Sequence, residues 1–248
     1  MSMVKVHRSL LAIFCLAAIA SPAFAQTVLD RERGFCANQD GHLPLDTRII
    51  ACTHVIQTSN QASDRIAAAY NNRANAFRDQ GNFDMALSDY AQAIRLKPDY
   101  ANAFNNRGIA YRAQHDYARA MADFNEAIRL DPNVAGVFLN RAGAYADQRR
   151  FELAIADYNQ AISLNPQFAR AFNNRGNAYR AQGDFDSAIT DYNAAIAIDP
   201  NYANAYYNRA IAYRGKGNAV QTAADLEQAL HLDPDNPNYR NAAQGRNR

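Results

Sequence analysis

One period governs this chain. Pro98, Pro132, Pro166, Pro200 and Pro234 stand 34 residues apart, and Ala86, Ala120, Ala154, Ala188 and Ala223 keep the same step to within one residue. A large aromatic residue opens each unit (Tyr70, Phe104, Phe138, Phe172, Tyr206), and a second follows seven residues later (Phe77, Tyr111, Tyr145, Tyr179, Tyr213). A repeat of this length is one supersecondary unit that cannot bury its apolar face alone, so consecutive copies must stack on one another. The stretch from Phe172 to Pro200 shows what one copy contains. Phe172, Arg175, Gly176 and Tyr179 recur at the spacing of a single helical face. Gly183-Asp184 supplies a turn, with Asp184 set to cap the next helix. Ala188, Tyr192, Ala195 and Ile196 form a second apolar face, and Asp199-Pro200 ends it, because proline neither donates a backbone hydrogen bond nor allows its predecessor helical angles.

The spacing Phe172-x2-Arg175-Gly176-x2-Tyr179, then Ala188-x3-Tyr192, then Pro200, resembles the tetratricopeptide repeat. Five units fit it in phase: 67–100, 101–134, 135–168, 169–202 and 203–236. Two departures recur. Phe or Tyr stands where the family pattern has Trp, and Arg stands where it has Leu, in every unit (Arg73, Arg107, Arg141, Arg175, Arg209). The resemblance implies an all-α fold, a right-handed superhelical solenoid of antiparallel helix pairs. It also implies a groove lined by the first helices, which in this family commonly grips peptides.

The residues expected in that groove are Asn71, Asn75, Arg78, Asn105 and Arg112 from the first two units. Asn173, Asn177, Arg180, Tyr207 and Arg214 come from the last two. Arg78, Arg112, Arg180 and Arg214 recur as a basic stripe that Ala146 interrupts in unit three. Asn amides can bond an extended peptide backbone and Arg can hold a carboxylate at two points. The other reading is a solvated polar face. The carboxylate clamp of chaperone-binding family members is not intact, since Asn71 and Gly136 stand where Lys is expected.

Each Arg of the first helix is matched by an Asp sixteen residues on: Arg73 with Asp89, Arg107 with Asp123, Arg141 with Asp157, Arg175 with Asp191, and Arg209 with Asp225. A charge at the edge of a packed helix pair is tolerated when it is paired, so the pattern reads as a repeated structural ion pair rather than a row of catalytic carboxylates.

Ahead of the repeats, residues 1–25 carry Lys5 and Arg8, an apolar run from Leu10 to Ala20, and Ala23-Phe24-Ala25 before Gln26. This is the layout of a cleaved secretory signal, and the apolar run is shorter than the ~20 residues a membrane span needs. The expected location is periplasmic or secreted. Removing Lys5 and Arg8 from the 26 Lys and Arg leaves 24, equal to the 24 Asp and Glu. A neutral chain gives no support to nucleic-acid binding.

Residues 26–66 read as an N-terminal segment with a degenerate half repeat, its helix over Asp46–Gln57. Cys36 and Cys52 are the only cysteines outside the signal. In an oxidising compartment they most simply form one disulfide, tying the loop around Phe35 to that helix. A zinc site with His42 and His54 is disfavoured because the spacings match no paired ligand motif. Residues 237–248 read as a short polar tail that thinly covers the last unit, leaving Leu226, Leu230 and Leu232 for self-association through the C-terminal end. No catalytic, phosphate-loop or metal-helix motif is present, so the expected function is a non-catalytic protein–protein interaction scaffold without cofactor. The alternatives are a self-assembling envelope scaffold and an accessory subunit of an envelope enzyme complex.

Overall fold

A computed structural model of the chain describes residues 22–38, 41–58 and 62–245. The described residues form thirteen helices and no strand. The predicted signal lies outside them apart from its last four residues, which open the first helix, and part of the loop after Gln57 lies outside them as well. No described helix is long and apolar enough to cross a membrane. The chain divides into two compact bodies, Met1–Ala110 and Tyr111–Arg248.

In the N-terminal body, α1 (Pro22–Ala37) packs against α2 (Leu45–Gln57), and α3 (Ser63–Asp79) against α4 (Phe83–Leu96). The expected half repeat is therefore a whole helix pair. Phe35 and Cys36 lie on α1 rather than in a loop. The polar sequence of α1 hides its periodicity, and only Leu29, Glu32 and Cys36 among its described side chains are buried. Cys36 and Cys52 are disulfide-bonded across the pair, sixteen residues apart. They sit among Leu29, Ala51, Val55 and Ala69. A closed loop of this length stabilises by about 3 kcal/mol through lost unfolded-state freedom, which offsets the small core of this terminal pair.

The C-terminal body holds α6 (Tyr117–Leu130), α7 (Ala135–Asp147), α8 (Phe151–Leu164), α9 (Ala169–Ala181), α10 (Phe185–Ile198), α11 (Ala203–Gly215), α12 (Ala219–Leu232) and α13 (Pro237–Ala243); α5 (Ala101–Ala113) contains the boundary. Alanine makes the contacts. Ala154, Ala161, Ala171, Ala188, Ala195 and Ala205 are fully buried, so backbones approach closely and the aromatic rings fill the space between pairs. At Gly176 an added Cβ would run into the Tyr192 ring, which explains a glycine inside α9. The second helix of each repeat stops two residues before its proline, at Leu96, Leu130, Leu164, Ile198 and Leu232.

The turn within each repeat needs a left-handed residue, at Gly81, His115, Arg149, Gly183 and Gly217. The next residue caps the second helix: Asn82, Asp116, Asp184 and Asn218 each accept a backbone N–H, while Arg150 in repeat three does not. Repeat three departs from its neighbours here.

The C-terminal end differs from expectation. Residues 237–243 are helical, and Tyr239 and Ala242 are buried. Tyr239 stacks on Tyr207 at 5.0 Å and its hydroxyl donates to Asn204 Oδ1 at 2.8 Å. Leu226 is buried under Ala242, while Leu230 and Leu232 stay half-buried. Proline at the first turn and Asn236 as cap start this short helix, a signal that the tail's polarity obscures.

Candidate functional site: the face of the first helices

The Arg of each first helix and the Asp of each second helix meet in a two-point fork. Arg141 Nε and Nη2 donate to Asp157 at 2.7 and 2.7 Å. The same pairs form at 2.7 and 2.8 Å for Arg73 with Asp89, 2.8 and 2.6 Å for Arg175 with Asp191, and 2.8 and 2.6 Å for Arg209 with Asp225. Arg107 and Asp123 belong one to each body. The remaining nitrogen, Nη1, reaches the second helix of the preceding repeat, where Asn125, Asn159 and Asn193 accept from Arg141, Arg175 and Arg209 at 2.6–2.7 Å. Arg73 reaches Thr53 at 2.9 Å in the same way. Each of these guanidinium groups also lies over the aromatic ring three residues before it, at 5.4–5.7 Å. The hydrogen bond to its Asp holds each of these Arg side chains above the ordinary arginine pKa. With each of its three nitrogens bonded inside the protein, every arginine of this ladder joins three helices, a structural role.

The predicted groove residues separate into two groups. Asn71 and Asn173 are 5% and 4% exposed and face the next repeat instead of solvent. Asn106 Nδ2 donates to Asn71 at 3.1 Å and Asn208 Nδ2 to Asn173 at 2.9 Å. Asn105 donates to Asn106 at 3.3 Å. Tyr207 lies beneath Tyr239. The basic stripe is also partly neutralised, because Arg78 pairs with Asp79 at 2.9 Å and Arg112 grips Asp147 at 2.6 and 3.2 Å. Asn106 and Asn208 complete the inter-repeat ladder, and their recurrence at 34 residues (72, 106, 140, 174, 208) was the signal that could have found it.

The second group faces outward. Asn75 and Asn177 each accept from the hydroxyl of a buried tyrosine, Tyr90 at 2.7 Å and Tyr192 at 2.8 Å, which aims their amide N–H groups away from the core. Arg214 is exposed, Arg180 is half-buried, and neither forms an ion pair among the described residues. Between α7 and α9 lies an open cavity of about 240 Å³. Its lining combines the polar Asn140, Asn174 and Asn177, the apolar Leu139, Ala146 and Phe151, and the ionisable Arg112, Asp147, Tyr158 and Arg170.

Helix pairs of fixed length, stacked through small residues and tied by a repeated ion pair, define an all-α repeat scaffold. Its family is settled by sequence. The model "TPR repeat" matches residues 74–114, 144–181 and 176–217, and "Tetratricopeptide repeat" matches 101–134. These matches cover more than half of the 248 residues, and the chain belongs to the tetratricopeptide repeat family, a scaffold for protein–protein interaction. No curated protein matches the chain. Among solved structures it is similar to YrrB, described as a TPR protein with an unusual peptide-binding site (25% identity, 78% of this chain and 98% of that one, TM-score 0.57). It is also similar to MamA (25% identity, 68% and 92%, TM-score 0.58). It shares its fold with PilW, a type IV pilus biogenesis factor (20% identity, 86% and 97%, TM-score 0.75).

Replacing Arg141 with leucine strands a buried carboxylate at Asp157, a loss of roughly 3–5 kcal/mol for a buried pair, nearer the lower figure here because Arg141 reaches the surface. Denaturant unfolding of Arg141→Leu should show that loss, and Arg141→Leu/Asp157→Leu should recover most of it. Equal instability of the single and double variants would contradict the pairing account.

Proposed function

We propose that this chain is an exported, non-catalytic scaffold that holds an extended segment of a partner protein along the first helices of its C-terminal body. One observation carries the reading: the amides of Asn174 and Asn177 keep unspent donors and border an open cavity, and Arg180 and Arg214, which form no ion pair among the described residues, follow on the first helices of repeats four and five. An extended peptide offers a carbonyl oxygen at each residue, and fixed amide donors satisfy those oxygens without selecting side chains. YrrB, a TPR protein with an unusual peptide-binding site, carries the same repeat and supports the reading. The Cys36–Cys52 disulfide and the signal-like residues 1–25 support export.

Two experiments test the two halves. The chain expressed with its leader should be recovered outside the cytoplasm starting at Gln26, by N-terminal sequencing; retention of residues 1–25 on a cytoplasmic product would reject export. Panning a random peptide library on the immobilised mature protein should yield binders. Their capture should fall at least tenfold with Arg180→Glu/Arg214→Glu at an unchanged melting temperature. Undiminished capture by that variant would place binding elsewhere.

A further inference from the structure

Repeat three breaks a rule that the other four repeats keep. In repeats one and four a tyrosine of the second helix has an asparagine opposite it on the first: Tyr90 with Asn75 and Tyr192 with Asn177. Arg78 lies beside the first hydroxyl, at 3.5 Å. Where the asparagine gives way to isoleucine, at Ile109 and Ile211, the tyrosine gives way to Phe124 and Leu226. The hydroxyl and its acceptor thus come and go together, as expected for a buried polar group that is costly to leave without a partner. Repeat three keeps the tyrosine, Tyr158, but has Gly143 where the acceptor belongs and Ala146 where the arginine belongs.

Tyr158 is 3% exposed, and its hydroxyl meets no hydrogen-bond partner among the described residues. It borders the cavity between α7 and α9, which the two small residues leave open. Leu139 adds to the break by standing where Asn71 and Asn173 stand, so Asn174 lacks the neighbour that Asn106 and Asn208 have. Most side-chain acceptors at the cavity rim already take a hydrogen bond from the protein: both Asp147 oxygens take Arg112, Asn174 Oδ1 takes Asn173, Asn177 Oδ1 takes Tyr192, and Asn140 makes an interaction of its own. The side-chain groups there with no partner among the described residues are donors. They are the Tyr158 hydroxyl, the amide N–H groups of Asn174 and Asn177, and Arg112 Nη1, which lies where a side chain at Gly143 would collide with it. Arg170 adds a cation that forms no ion pair among the described residues.

A site that offers donors, an arginine already paired with the carboxylate beside it and a second arginine without an ion pair carries a net positive charge and suits a group that only accepts. We infer that this cavity is a specificity pocket for a carboxylate side chain, an Asp or Glu of the bound segment, with Tyr158 donating at its base and Arg170 at its mouth. The inference rests on the peptide-binding reading above and adds the residue that fixes the register of the peptide. Burial pushes the Tyr158 hydroxyl up to about 12, so it is protonated and able to donate at neutral pH.

The test uses the peptides selected on the wild-type protein. They should share one Asp or Glu position, and changing that residue to Asn or Gln should weaken binding about tenfold or more, the scale of a hydrogen bond to a charged group. Tyr158→Phe should weaken the acidic peptides to a similar extent, leave their Asn or Gln versions nearly unchanged, and not lower the melting temperature. Tyr192→Phe, which removes an internal bond, should lower stability without altering the acidic preference. Peptides that depend on Arg180 and Arg214 but show no acidic position, or bind Tyr158→Phe equally well, would overturn the pocket while leaving the groove reading intact. Peptides indifferent to both sets of changes, or no peptides at all, would remove the groove reading and the pocket with it.

Discussion

The fork between the first-helix arginine and the second-helix aspartate is the interaction on which the stack depends. Alanine contacts bring the helices close but are smooth and carry little directional information. The guanidinium supplies direction: two nitrogens fix the partner helix of the same repeat, and the third fixes the helix before it. Burying the Asp without that fork would cost several kcal/mol, so one geometry is strongly preferred. The aromatic ring beneath each arginine completes the seat, using a weakly hydrated planar cation where lysine would not fit as well.

Much of this was legible before any coordinates. The 34-residue step, the helix-ending prolines and the sixteen-residue Arg–Asp spacing each follow from a local rule that repeats. What escaped were features carried by single copies or by contacts between copies. Asn71 and Asn173 read as outward because a helical face says which side a residue occupies, and not whether the next repeat covers it. Arg78 and Arg112 read as free because Asp79 and Asp147 lie outside the periodic pattern. Helix α1 and the terminal helix were missed because each is short of apolar residues and is packed by a disulfide or by one tyrosine.

Repeat three shows how a regular scaffold acquires a site. The Arg141–Asp157 fork and the Arg175–Asn159 bond tie α7, α8 and α9 as their counterparts do in other repeats, and the deviations at Leu139, Gly143 and Ala146 line open space between them. The Tyr158 ring packs in the core with Phe138 and Ala161, while its hydroxyl has no partner among the described residues and borders the cavity. A ligand group that accepts from it would complete the pairing that Asn75 and Asn177 provide in repeats one and four.

The most direct measurement of the central claim is the NMR response of the side-chain amides of Asn174 and Asn177 as a selected peptide is added to the mature protein. Binding along the first helices predicts that these amide protons shift and exchange more slowly with water, while those of Asn159 and Asn193, held by the arginine ladder, stay in place. Shifts confined to the second helices, with Asn174 and Asn177 unmoved at saturation, would contradict the account.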